Sequence, residues 1–553
     1  MRIRFLAALM LVAGSGTALA QMAPSLQLQG QPYSGGSMTL HLFGSAGQPA
    51  LVAYGLDPLT TPLVTGKGPW FIGTLMGMLP LGVIPAAGRI DVAFTMPPIA
   101  PAFEGIPLVL EGYVPFTLSN AVTLPLDEPY LLPSTALVIN NPLPTQQADF
   151  GDTLAAGDFD GDGVVDLAVG AWFEDVAGAD KAGSVYVMWG PDFATFVRMT
   201  PTAPVLNLHF GQGLLVADFD GDGIDDLGVG QGTGGDPPFA THASIRVFKG
   251  GPSFPSVQIA TATSVGIGQE AYVFSQVKGI GDLNDDAWLD IVVGAPDATV
   301  GGFTRAGRLE VFYGPTFANP VLIENPQPKV NDFFASRLML IDMNGDEVAD
   351  LVEASGRASV AGISQAGRAH VYDGATLALL ATIDNPAPAI NDRFGEGLYA
   401  CDLDADGDAE IIAADVKKNV YVVRSPLGAP TFQTLTKPPS PNPSGAVSFG
   451  YFFASTDANH DGLLDVLIAD PFEGDAVGCG ALGGSGSIYV ALAPFFETFH
   501  RISNPLGTCG DSFGWELICA DMDGDGADEV LAGDATADVN GVFNAGRVII
   551  LMP

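Results

Sequence analysis

Seven times along the chain an acidic segment recurs with Asp or Asn at alternating positions. The segments begin at Asp158, Asp218, Asp282, Asp342, Asp402, Asp457 and Asp521, so the steps are 60, 64, 60, 60, 55 and 64 residues. Self-similarity at such a period marks one supersecondary unit repeated, and no other feature limits the possible folds as strongly.

The surroundings repeat as well. Phe lies eight residues before the first Asp in every copy, at 150, 210, 274, 334, 394, 449 and 513, and Gly follows it in five of them. Twelve residues after the first Asp stands Gly or Ala, namely Gly170, Gly230, Gly294, Ala354, Ala414, Ala469 and Gly533. Short apolar runs bounded by Gly, Pro and Asp separate these marks, which is the grammar of strands. Each unit reads strand A, acidic loop, strand B, long loop, strand C, turn, strand D. Four strands repeated seven times predict a seven-bladed β-propeller.

The seventh unit stops after strand C. The phrase before the first unit, Ala136-Leu-Val-Ile-Asn-Asn141-Pro142, matches the strand D endings at Asn325-Pro326, Asn385-Pro386 and Asn504-Pro505. Residues 135–141 are therefore expected to complete blade seven and remove the open edge. The propeller is assigned to 133–553, with 133–146 supplying the closing strand.

Acidic composition points the same way. The formal charge is −40, yet 47% of residues are hydrophobic and mean hydropathy is +0.30. A disordered acidic tail would be poor in apolar residues. Nucleic acid and anionic membranes call for a basic surface, so neither is an expected partner.

The loops have the spacing D-x-[DN]-x-D-x-x-x-[DE]. Side-chain oxygens at positions 1, 3, 5 and 9 and the carbonyl at position 7 suit a hard cation that takes six or more oxygens. The ligand sets are Asp158, Asp160, Asp162, Val164 and Asp166; Asp218, Asp220, Asp222, Ile224 and Asp226; and Asp282, Asn284, Asp286, Trp288 and Asp290. The fourth and fifth are Asp342, Asn344, Asp346, Val348 and Asp350; and Asp402, Asp404, Asp406, Asp408 and Glu410. The last two are Asp457, Asn459, Asp461, Leu463 and Asp465; and Asp521, Asp523, Asp525, Ala527 and Glu529. Up to seven structural Ca2+ ions are expected. Gly at position 6 permits the sharp turn in five loops. Ala287 and Glu347 replace it in loops 3 and 4, which are expected to bind more weakly or in altered geometry. Position 12 lies in a strand, which excludes an EF-hand.

Phe150-Gly151, the loop at 158–166 and Gly294-Ala295-Pro296 resemble the FG-GAP repeats of the integrin α-subunit propeller and of related secreted bacterial proteins. That resemblance implies calcium loops on one face and a ligand face built from B–C and D–A loops. The candidate ligand face is Trp172, Phe173, Phe239, Phe303 and Phe472, aromatic residues of the B–C loops. Only repeat 3 spells Gly-Ala-Pro in full.

Residues 1–20 carry Arg2 and Arg4, an apolar stretch from Phe5 to Val12 and the small-x-small end Ala18-Leu19-Ala20, the pattern of an export leader. A secreted or periplasmic protein is expected, with no membrane span. Residues 21–128 read as a small β-sandwich-like domain. Cys479 and Cys509 fall on loops of one face of adjacent blades and are a candidate disulfide in an oxidising compartment, whereas Cys401 and Cys519 read as small core residues. No catalytic or cofactor motif stands out. The expected function is a monomeric, non-catalytic adhesion or binding protein for an extracellular protein or glycan. The alternative is a calcium-dependent polysaccharide lyase, which would need a basic residue in a pocket.

Overall fold

The computed structural model describes strands only between residues 5 and 118. From 135 to 552 it describes the chain apart from 233–242, 266–277, 416–418, 425, 440–447, 460, 474–483, 494–495, 497–498 and 508. Every element among the described residues is a strand. The chain divides into two compact units, Met1–Glu128 and Pro129–Pro553.

The second unit holds seven four-stranded antiparallel sheets and is a seven-bladed β-propeller. Blade 1 comprises Thr153–Gly157, Asp166–Ala171, Ser184–Met188 and Phe196–Met199, as strands A to D. Blades 2 to 6 repeat that order, and their A strands are Gly213–Ala217, Lys278–Gly281, Arg337–Ile341, Gly397–Cys401 and Phe453–Thr456. Blade 7 takes Leu517–Ala520, Glu529–Asp534 and Arg547–Met552 from the chain end, and Thr135–Asn140 pairs antiparallel with Arg547–Met552 as its strand D. The A strands of neighbouring blades contact one another around a closed ring.

Strand B is the most deeply placed element. All six residues of Asp166–Ala171 are buried, as are those of Asp290–Ala295 and Asp465–Asp470. Strand D is largely exposed at the rim, as in Val321–Glu324. This gradient explains the near-continuous apolar runs after each acidic loop, because strand B is covered on both faces. Seven hydrophobic clusters fill the seven interfaces between blades; the one that joins blades 7 and 1 includes Ile139 of the closing strand.

The repeated Phe and Gly residues lock blade to blade. Six of the seven Phe residues are described, and all are at most 1% exposed; Phe274 lies outside the described residues. The N–H of the following Gly donates to the carbonyl of the residue twelve after the first Asp, as from Gly151 to Gly170 and from Gly395 to Ala414. The Gly before strand C packs on the Phe backbone of the next blade. A Cβ on Gly367 would lie 2.1 Å from the Phe394 oxygen, and one on Gly546 would lie 2.0 Å from the Phe150 oxygen. Both glycines also have φ above +80°, which only Gly adopts freely. Gly546 and Phe150 make this contact between the last blade and the first. Asn141 repeats the act of Asn325, Asn385 and Asn504, donating from Nδ2 to a backbone carbonyl just before strand C of the same blade at 2.9 Å. In blade 4, Ala335 replaces the Gly at φ +63°, and its N–H turns instead to Glu353, at 2.8 Å.

In the first unit, Phe5–Leu11 lies between Pro49–Leu56 and Glu111–Val114 in a five-stranded sheet, and Ser25–Gly30, Ser37–Phe43 and Arg89–Thr95 form a second. The apolar stretch read as the leader core is thus a strand here.

Candidate functional site

Each acidic loop joins strand A to strand B at one end of its blade. Three backbone-to-carboxylate bonds recur in all seven loops. The position-6 N–H donates to the position-1 carboxylate at 2.7–3.0 Å. The position-7 N–H donates to position 5 at 2.8–3.1 Å. The position-2 N–H donates to position 9 at 2.7–3.1 Å. The side chains at 1, 5 and 9 are thereby turned inward.

Loops 3 and 4 keep the shared backbone hydrogen bonds without the Gly. Ala287 and Glu347 sit at φ +69° and +70°, the left-handed region that Gly occupies in the other loops, and they keep the same hydrogen bonds. Geometry is unchanged there, and the cost is backbone strain of about 1–2 kcal/mol.

What divides the loops is position 3. In loops 1, 2, 5 and 7 one carboxylate oxygen from each of positions 1, 3 and 9 falls within 4.8 Å of the others: Asp158, Asp160 and Asp166; Asp218, Asp220 and Asp226; Asp402, Asp404 and Glu410; Asp521, Asp523 and Glu529. The other three loops carry Asn284, Asn344 and Asn459 there.

Position 9 is a buried anchor. In five blades its second oxygen accepts an N–H from the C–D turn, given by Gly190, Gly250, Gly314, Gly374 and Ala493 at 2.7–2.9 Å. The two blades with Glu differ. Blade 7 has no C–D turn, since its strand D comes from residues 135–140, and Oε1 of Glu529 is buried without a partner among the described residues. In blade 5, Arg424 lies 3.7 Å from Glu410. Burial pushes Asp166 up to about 6 and both Glu410 and Asp465 up to about 7, and the neighbouring loop carboxylates add to it.

The residues present fit a hard cation. The donors are oxygens, three to four of them carboxylate, and Oδ1 of Asp220 and Oδ1 of Asp404 are buried with no hydrogen-bond partner among the described residues, as is Oε1 of Glu529. A cation would meet these atoms and offset the repulsion that raises the acids.

The opposite end of the propeller carries the B–C and D–A loops. The structure does not gather the sequence-predicted aromatics into one surface. Trp172 and Phe173 are half-buried, their ring centres 3.7 Å apart, and both abut His209 edge-on. The Trp172 indole N–H donates to Asp152 at 2.5 Å. Phe472 packs on Trp515 instead, with ring centres 5.6 Å apart. Phe303 stands 41% exposed at a hairpin tip. Phe239 and Cys479 lie outside the described residues. Cys509 is disulfide-bonded, while Cys401 and Cys519 carry free thiols.

Sequence reading missed a titratable group on this face. Asp152 is buried, and burial pushes it to about 6 against the pull of the Trp172 indole. Asp149 is pushed to about 7 by burial and by Asp152. Burial lowers His209 to about 4, so its ring is neutral near pH 7. The signal available was position: Asp149 and His209 precede the repeated Phe, and Asp152 follows it by two.

Comparison with known proteins agrees with this architecture. The FG-GAP repeat family matches residues 150–188, and the FG-GAP-like repeat family matches 402–468. Integrin alpha-8 of Gallus gallus is 30% identical over 195 residues, covering 34% of this chain and 17% of that protein. Phosphatidylinositol-glycan-specific phospholipase D of Rattus norvegicus is 28% identical over 150 residues, covering 25% and 18%. The chain thus spans less than a fifth of each of these relatives. A solved structure of BBS1N in complex with ARL6DN is 12% identical over 76% of this chain and 97% of that one, with a TM-score of 0.43. The propeller of this chain thus carries FG-GAP repeats at residues 150–188 and 402–468, and about a third of the chain is similar in sequence to an integrin alpha subunit.

Proposed function

We propose that the chain is an exported binding or adhesion protein whose propeller is stabilised by calcium and presents the B–C and D–A loops to a protein or glycan. One observation carries the reading. Sixteen large apolar side chains stay exposed among the described residues, and ten of them lie on B–C or D–A loops; the acidic-loop end has only Trp288 and Val257. Leu143, Leu206, Val330, Ile390 and Leu506 come from D–A loops, and Phe543 from a B–C loop. Exposed apolar residues concentrated on one side mark an interaction surface. Beside Phe543 lies a cavity of about 120 Å³ lined by Asp511, Thr536, Asp538 and Asn544.

Export is supported by the leader pattern and by the disulfide at Cys509, because disulfides persist in oxidising compartments. With two of the four cysteines free, Cys479 is the proposed partner; non-reducing peptide mapping that finds Cys479 alkylated would reject that pairing. Among the described residues no helix is long and apolar enough to cross a membrane. The lyase alternative gains no support: the similarity to a phospholipase covers a quarter of this chain and brings no activity with it.

The test is a protein and glycan array probed with the wild type and with a Leu206→Asp, Val330→Asp, Ile390→Asp triple variant. Binding lost in the variant at unchanged melting temperature supports the surface. Equal binding by both proteins rejects it.

A further inference from the structure

Strand register places one residue of strand C opposite position 9 of every acidic loop. Leu227 pairs with Phe248 and Ile411 with Val423, so the next pairs outward set Lys249 against Asp226 and Arg424 against Glu410. The same place holds Trp189, Tyr313, Asp373, Leu492 and Met552 in the other blades.

Two of these residues are cations, and both reach into the loop. Lys249 Nζ pairs with Asp220 and lies 2.5 Å from Asp222. Arg424 Nη1 lies 2.6 Å from Asp404 and 3.7 Å from Glu410. Both blades belong to the group with carboxylates at positions 1, 3 and 9; the other two loops of that group face Trp189 and Met552, which bear no charge. Blade 4 shows the opposite correction. Its position 3 is Asn344, and Asp373 stands across from the loop, 3.3 Å from the Asn344 amide nitrogen. Where the loop has its full set of acids, the neighbouring strand adds a positive charge twice out of four; where an acid is missing, it supplies one once out of three.

We propose that Lys249 and Arg424 are built-in counter-ions that let blades 2 and 5 keep their loops without a divalent cation and make those loops bind one more weakly than loops 1 and 7. The proposal rests on the reading of the loops as cation sites. The tethered groups hold one oxygen of the position-3 carboxylate and leave Oδ1 of Asp220 and Oδ1 of Asp404 unpartnered, so they compete with an ion rather than fill the loop. Attraction between a tethered ammonium or guanidinium and a carboxylate cluster replaces part of what a metal supplies.

The experiment uses the whole chain with Lys249→Met, Arg424→Met and both together, melted in chelator and in millimolar calcium, with bound calcium counted by equilibrium dialysis at limiting concentration. The variants are expected to melt several degrees below wild type in chelator, to match it in calcium, and to retain more calcium than wild type, up to two ions for the double variant. An equal loss in both conditions makes the pairs purely structural and overturns the proposal, as does no loss in either. If calcium raises the wild-type melt while the variants behave so, the cation reading stands and this inference alone falls. If no calcium binds to any of the proteins, both fall.

Discussion

The carboxylate at position 9 ties two hairpins of its blade together. In blade 2, Asp226 is fully buried and accepts from the Phe219 N–H at 2.9 Å and from the Gly250 N–H at 2.7 Å. Removing it orphans two buried donors, each costing about 1–3 kcal/mol. Asp226→Ala is therefore expected to lose about 2–6 kcal/mol in urea unfolding even in chelator, where no ion contributes. On the far face, Asp149 gives a pH signature. Its carboxyl is raised to about 7 by burial and by Asp152, against an ordinary value of 3.8. Between those two values the folded protein keeps a proton that the unfolded chain releases, so this group costs stability as pH rises through the window. Asp149→Asn is expected to raise the melting temperature relative to wild type at pH 8 and to leave it unchanged near pH 4; a constant difference at both would refute the assignment. The loop ligands were legible because their spacing is fixed along the chain. Lys249 and Arg424 were not, because they meet their loops only through the register of strand C, and they stand 31 and 22 residues after the first Asp of their loops.

At the scale of elements, closure depends on one early strand. Thr135–Asn140 supplies the rim of blade 7 and sends Ile139, 6% exposed, into the cluster between blades 7 and 1. Ile139→Ala should cost about 2–5 kcal/mol. Amide exchange should then accelerate first in Arg547–Met552, its pairing partner. Uniform acceleration over all blades would contradict a local closure. This strand was readable from the Asn-Pro phrase it shares with three internal D strands, and the structure shows why the phrase repeats: Asn141 makes the same backbone contact as its counterparts. The ligand face was less readable. Aromatic residues were the evident candidates, yet Trp172 and Phe173 spend their surface on each other and on His209. The aliphatic residues that do stay exposed, such as Val330 and Ile390, sit in short Pro- and Asn-bounded turns with no periodicity to reveal which way they face.

Across the whole molecule the acidity is distributed by role. Of the 62 acidic residues, 25 occupy positions 1, 3, 5 and 9 of the loops. Others are buried inside blades with partners of their own. Glu174 accepts from the Tyr186 hydroxyl and pairs with Arg198 at 3.1 Å, and Glu473 does the same with Tyr489 and with Arg501 at 3.0 Å. The blade pairs are therefore satisfied internally, whereas loops 1, 2, 5 and 7 crowd three carboxylates together, and loops 2, 5 and 7 each hold a buried oxygen without a partner among the described residues. Anything that binds only the folded loops must stabilise the whole ring by mass action. The most direct test is the melting temperature of metal-stripped protein followed across a calcium titration. A melting temperature that climbs steadily with the logarithm of free calcium is the expected result; one that stays flat from chelator to millimolar calcium would contradict the reading of the acidic loops as cation sites.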